Sequence, residues 1–94
     1  MSDEVRVVVE ERSGWFVYLL RCKDDTLYCG ITNRLSFRIA AHNAGKGARY
    51  TRGRGPVDVV WLCEVSGQSE ALRIEARLKK WPRREKESLI RGRL

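Results

Sequence analysis

Apolar positions along the chain alternate between short extended runs and longer stripes at helical spacing. Trp15-Phe16-Val17-Tyr18-Leu19-Leu20-Arg21-Cys22 is apolar at almost every position. Its aromatic and β-branched content predicts a central strand covered on both faces. Lys23-Asp24-Asp25-Thr26 is a polar turn, and Leu27-Tyr28-Cys29-Gly30-Ile31-Thr32 is the returning strand of a hairpin. Leu35, Ile39 and His42 then share one helical face flanked by Arg34 and Arg38, with Asn33 as the expected N-cap and Gly45 as the C′ stop. Val57 to Val65 reads as a third strand. Ala71, Ile74, Leu78 and Trp81 form the buried stripe of a second helix, capped by Ser69 or Gln68. Pro82 suits the start of a last short helix from Arg83 to Ile90, ending near Gly92.

The order β-β-α-β-α-α predicts a small α/β domain of the α+β type: a mostly antiparallel three-stranded sheet flanked by helices. Residues 1–13, with the β-leaning stretch Val5 to Val9, are expected to form an N-terminal arm or edge strand ahead of a domain spanning 14–94. Ninety-four residues support one hydrophobic core. No apolar run approaches the roughly 20 residues of a bilayer span. Met1-Ser2-Asp3-Glu4 lacks a signal-peptide pattern, so a cytoplasmic protein without a membrane partner is expected. Cys22, Cys29 and Cys63 are odd in number and not paired as Cys-x-x-Cys. They read as reduced thiols packed as small hydrophobes.

Charge changes this picture. The net charge is +7, and residues 13–94 carry 17 Lys and Arg against eight Asp and Glu. Fourteen of the nineteen basic residues are arginines, whose planar fork suits phosphate oxygens. A solvated basic surface would account for the charge alone; a pattern of polar groups points further.

Val17-Tyr18 on the first strand, Tyr28-Cys29-Gly30 on the second, Arg38 and His42 on the next helix, and Glu75 in Ile74-Glu75-Ala76-Arg77-Leu78-Lys79-Lys80 stand in a specific order. This constellation resembles the GIY-YIG nuclease family from about Trp15 to Trp81, most of all its short stand-alone members. Their loop is similar to His42-Asn43 through Lys46-Gly47 and Tyr50-Thr51-Arg52. Phe16 stands where the family has the glycine of the first triplet, and Cys29 replaces the isoleucine or valine of the second. Ile31 replaces a lysine that some nuclease members carry, so no role for that lysine passes to this chain.

In-line attack on a phosphodiester needs an activated water, charge neutralisation at phosphorus and help for the departing oxygen. Glu75 is the expected metal ligand, a single carboxylate whose shell waters and phosphate would complete, as suits Mg²⁺ or Mn²⁺. Its bland alternative is an i, i+4 surface pair with Lys79. Arg38 is the expected phosphate clamp. His42 reads as a base or as the partner that orients a tyrosine. Tyr18 and Tyr28 can face one side of the hairpin, but a free tyrosine titrates near about 10, too high for an unaided base. Tyr18, Tyr28 and His42 therefore stay open as the group that takes the proton.

Lys46, Arg49, Tyr50, Arg52 and Arg54 form a basic loop with one aromatic, and Arg34 flanks the first helix. Such a surface can track a phosphate backbone and stack a base. The expectation is a metal-dependent nuclease acting on nucleic acid, DNA ahead of RNA, without strong sequence specificity. Repair or nucleic-acid turnover is the matching context. No small-molecule cofactor is expected, and a monomer is the default. The alternative is a non-cleaving nucleic-acid-binding module of the same fold.

Overall fold

The computed structural model describes residues 14–92. Three antiparallel strands lie in the order β2-β1-β3, with β1 at Trp15–Arg21, β2 at Leu27–Thr32 and β3 at Asp58–Val65. Helices α1 (Leu35–Asn43), α2 (Gln68–Lys80) and α3 (Arg83–Ile90) complete the expected order. The predicted arm at 1–13 lies outside the described residues.

Because successive strand side chains point to opposite faces, central β1 feeds two cores. Val17 and Leu19 pack with Cys29, Val65, Ala71 and Leu78 beneath α2. Tyr18 and Leu20 pack with Cys22 and Val57 on the other face, against Leu35 and Ile39 of α1. Both faces are covered, which explains why β1 lacks a hydrophobic period of two. Truncating fully buried Leu19 to alanine would cost about 2–5 kcal/mol. The register slips between Leu19 and Leu20, which pair with Trp61 and Val59, so β3 bulges at Val60.

Two expected caps are corrected. Helix α1 starts one residue later than Asn33 would require, with Arg34 at the cap position. The Thr32 hydroxyl accepts the Arg34 backbone N–H at 2.9 Å in a tight turn at the strand end, and no side chain caps α1 itself. Helix α2 is preceded by Gly67, and both Gln68 and Ser69 lie inside it. Glu70 does the capping work in reverse, its carboxylate accepting the backbone N–H of Ser66 at 3.0 Å and its hydroxyl at 2.9 Å. Gly45 takes the left-handed conformation at φ +78° just past α1, as expected of a C′ glycine.

An ion-pair network anchors α3. Arg21 at the end of β1 donates to both Glu87 carboxylate oxygens, at 2.8 and 3.0 Å, and to Asp25 at 3.1 Å. Arg83 bonds Glu87 and Asp25 as well.

Candidate active site

The site is assembled on the α1 face of the hairpin. Tyr18 and Gly30 are cross-strand partners, and the absent side chain of Gly30 leaves room for the tyrosine. A Cβ there would stand 2.5 Å from the Tyr18 hydroxyl oxygen and 3.0 Å from the Tyr28 ring. Gly30 thus allows both tyrosines to converge over one backbone position.

His42, in the last turn of α1, meets this pair. Its Nε2 lies 3.0 Å from the Tyr18 hydroxyl, and its ring centroid 5.3 Å from that of Tyr28. On the other side Nδ1 lies 2.7 Å from the Thr51 hydroxyl, which donates to the Ala48 carbonyl at 3.2 Å. Gly47 presses against the imidazole; a Cβ on it would fall 2.5 Å from Nδ1. Tyr18, His42 and Thr51 are fully buried and polar, and each has a partner.

Burial pushes the Tyr18 phenol up to about 12, against an opposing pull from the Arg38 guanidinium that hydrogen-bonds it. Tyr18 is therefore a neutral phenol at neutral pH. Burial first, and Arg38 second, hold His42 below its ordinary value, so it is a neutral imidazole there. Arg38 itself is half-buried beside the pair, at the place expected of a phosphate clamp.

Tyr50 extends the cluster outward. It lies 5.6 Å from Tyr28 between ring centroids, and the Arg54 guanidinium sits over its ring, 4.6 Å from the centroid. Arg54 also pairs with Asp24 of the β1–β2 turn. Its backbone carbonyl accepts the Lys23 N–H, so the basic loop is fastened to that turn. Asn43 fastens the loop's far end by accepting the Val57 N–H at 2.8 Å. Lys46, Arg49 and Arg52 are exposed, and so is Arg34, whose guanidinium covers the Phe37 ring at 4.8 Å.

Among the expected catalytic residues, Glu75 has no contact with this group and pairs elsewhere. Its carboxylate, 18 % exposed, pairs with Lys79 at 3.3 Å. It acts on Cys29, whose thiol is pushed up to about 11 by burial and then by the Glu75 charge. Cys29 packs in the core beneath α2, and Glu75 lies close enough to it on the β2 side of that core for its charge to be felt.

The sequence marks Asn43, Gly47 and Thr51 only as part of the family-like loop and assigns them no role in the site. The available signal was compositional: Thr51 is an uncharged β-branched residue in a loop rich in glycine and arginine.

The GIY-YIG catalytic domain family model matches residues 14–88. The chain belongs to the GIY-YIG family. A UPF0213 protein of Vibrio cholerae is 45% identical over 89 residues, covering 94% of this chain and 88% of that one. Another, of Oceanobacillus iheyensis, is 51% identical over 75 residues, covering 80% and 87% respectively. The solution NMR structure of the UPF0213 protein BH0048 from Bacillus halodurans shares 45% identity, with a TM-score of 0.53 and 81% coverage of both chains. These names state no activity. GIY-YIG is a nuclease family whose members generally use divalent metals, and nucleic acid is the substrate it implies. Among the described residues no helix is long and apolar enough to cross a membrane.

Proposed function

We propose that this chain is a divalent-metal-dependent nuclease that hydrolyses phosphodiester bonds, in DNA ahead of RNA and without strong sequence preference. The hydrogen-bonded series Tyr18–His42–Thr51 beside Arg38 carries this reading. A buried phenol needs one hydrogen-bond partner, but an imidazole backed by a second hydroxyl, with a guanidinium close by, is a surrounding that suits proton transfer.

The donor set fits a Mg²⁺ or Mn²⁺ ion rather than an all-protein cage. Among the described residues no three His, Cys, Asp or Glu side chains gather. A lone carboxylate, Glu75, suits an ion that keeps waters and takes up substrate phosphate. When bound, the ion would supply charge neutralisation at the phosphoryl oxygens.

The chain's own residues handle the substrate and the proton. Arg38 and the exposed Arg34, Lys46, Arg49 and Arg52 hold the phosphate backbone, while Tyr50, backed by Arg54, offers a stacking face. The attacking water's lone pair forms the new P–O bond, and the bond to the leaving oxygen breaks with that oxygen keeping the pair. The water's proton passes to the Tyr18 oxygen as Tyr18's own proton passes to His42 Nε2. A phenol held near 12 cannot act as a standing phenolate, so the two transfers are coupled. Phosphate bound at Arg38 offsets one of the two causes that keep His42 from accepting a proton.

The test is cleavage of single-stranded, duplex and branched DNA and of RNA in Mg²⁺ and Mn²⁺, wild type beside Glu75→Ala and Tyr18→Phe. Metal-dependent cleavage lost in both variants supports the reading. Robust cleavage by Glu75→Ala overturns it. The pairing of Glu75 with Lys79, its i+4 neighbour on α2, favours a second reading in which the fold binds nucleic acid without cutting. Tight binding with no nicking in Mn²⁺ would establish that one.

A further inference from the structure

Thr51 lies outside the residues by which the chain resembles its family's catalytic set, yet it makes a contact that decides the chemistry of His42. A threonine hydroxyl has one proton to donate and two lone pairs with which to accept. That proton is directed to the Ala48 carbonyl at 3.2 Å. With that proton on the carbonyl, the hydroxyl oxygen accepts from a hydrogen on His42 Nδ1, 2.7 Å away; the reverse arrangement would turn the proton onto Nδ1 and away from Ala48. A neutral imidazole carries one hydrogen, so Nε2 is left with its lone pair facing the Tyr18 hydroxyl at 3.0 Å. The Tyr18 side agrees: the buried phenol O–H has Nε2 as an acceptor at 3.0 Å. Gly47 packed on the imidazole limits tilting of the ring, since no side chain fits between them.

We propose that Thr51 is a positioning residue that holds His42 as the Nδ1–H tautomer, so that Nε2 can accept the proton Tyr18 hands on. This rests on the nuclease reading for its purpose, although the tautomer itself does not. The opposite tautomer would put a hydrogen on Nε2 and leave Tyr18 with no acceptor. The groups facing His42 are Tyr18 from β1, Tyr28 from β2, Arg38 from its own helix and Thr51 from the loop. Among them only Arg38 carries charge at neutral pH.

The chain contains a single histidine, so one imidazole accounts for the whole histidine side-chain spectrum. Long-range ¹H–¹⁵N spectra of the ¹⁵N-labelled full chain above pH 7 should show the protonated nitrogen to be Nδ1. Thr51→Val keeps the shape and removes the acceptor, and should move the population toward the Nε2–H tautomer. Thr51→Ser restores the hydroxyl and should restore the wild-type spectrum. In the cleavage assay Thr51→Val should lower kcat by about 10-fold or more with KM little changed and the acid limb of the pH profile displaced, and Thr51→Ser should recover both. An Nε2–H tautomer in the wild type overturns the proposal. So does a Thr51→Val protein with wild-type tautomer and pH profile. Should Thr51→Val fail to fold, the wild-type and Thr51→Ser spectra still decide it. A wild type that shows the Nδ1–H tautomer but cuts nothing refutes the nuclease reading and leaves the tautomer assignment standing.

Discussion

The Tyr18 hydroxyl stands 3.0 Å from Nε2 of His42, and both residues are fully buried. Tyr18→Phe deletes this bond and strands the imidazole nitrogen in the core. The expected cost is about 1–3 kcal/mol of stability, read from urea denaturation. Cleavage should fall far more steeply than folding. Tyr28→Phe, at a half-buried ring, should be better tolerated in stability. Equal stability losses for the two variants would contradict the distinction drawn between them.

Gly30→Ala tests the shared ground under the tyrosines. The new methyl would lie 2.5 Å from the Tyr18 oxygen, so the ring must move. Overpacking of this kind costs about 1–3 kcal/mol. The variant should retain its sheet by circular dichroism yet lose cleavage, because Tyr18 can no longer keep its distance to His42.

His42 sets the acid side of the pH response. Its value is held below 6.5, so the neutral form is favoured by folding. That contribution to stability is complete above 6.5 and is lost as pH falls through the lower folded value. The cleavage rate should follow the same sense, flat through neutrality and falling on the acid side below 6.5. His42→Gln should be almost inactive at every pH and should lack this limb.

Glu87 governs a different and more acidic window. Its carboxyl is held at about 2, mainly by the Arg21 guanidinium, against an ordinary value of 4.5. A depressed folded value means stability present above 4.5 and lost as pH falls toward 2. Glu87→Ala should lower stability at neutral pH by about 1–2 kcal/mol, the network being partly exposed. It should also flatten the stability profile between those limits. Thermal melts of both proteins across that range measure it.

Glu75→Gln preserves the shape of the side chain and removes its charge. Cleavage in Mg²⁺ should drop by about 100-fold or more, while oligonucleotide binding is retained and keeps its salt dependence. Binding lost together with cleavage would instead mark Glu75 as a structural partner of Lys79.

The fold was legible because the two cores impose patterns a single sequence carries: apolar residues throughout β1, a stripe at Ala71, Ile74 and Leu78, and a glycine after each of α1 and α3. The start of α1 was not, since Thr32 holds the Arg34 N–H in a turn that carries the cap position one residue past Asn33. In the site, Tyr18, Tyr28, Arg38 and His42 could be read from strand and helix positions. Thr51 could not, because its place against His42 depends on how the loop folds back between Gly47 and the Ala48 carbonyl. Glu75 was legible as a shouldering helix residue, but which face of the sheet it would occupy depends on the path of the chain after β3.

The complete burial of Tyr18 bears on how the resting protein meets small reagents. Nitration or iodination of the free chain should mark Tyr50 and Tyr28 and pass over Tyr18. In the proposed mechanism the same shielding makes the protein latent, because the phenol of the free chain is closed to solvent. Reactivity would then be a property of the complex, acquired on contact with substrate and given up on release.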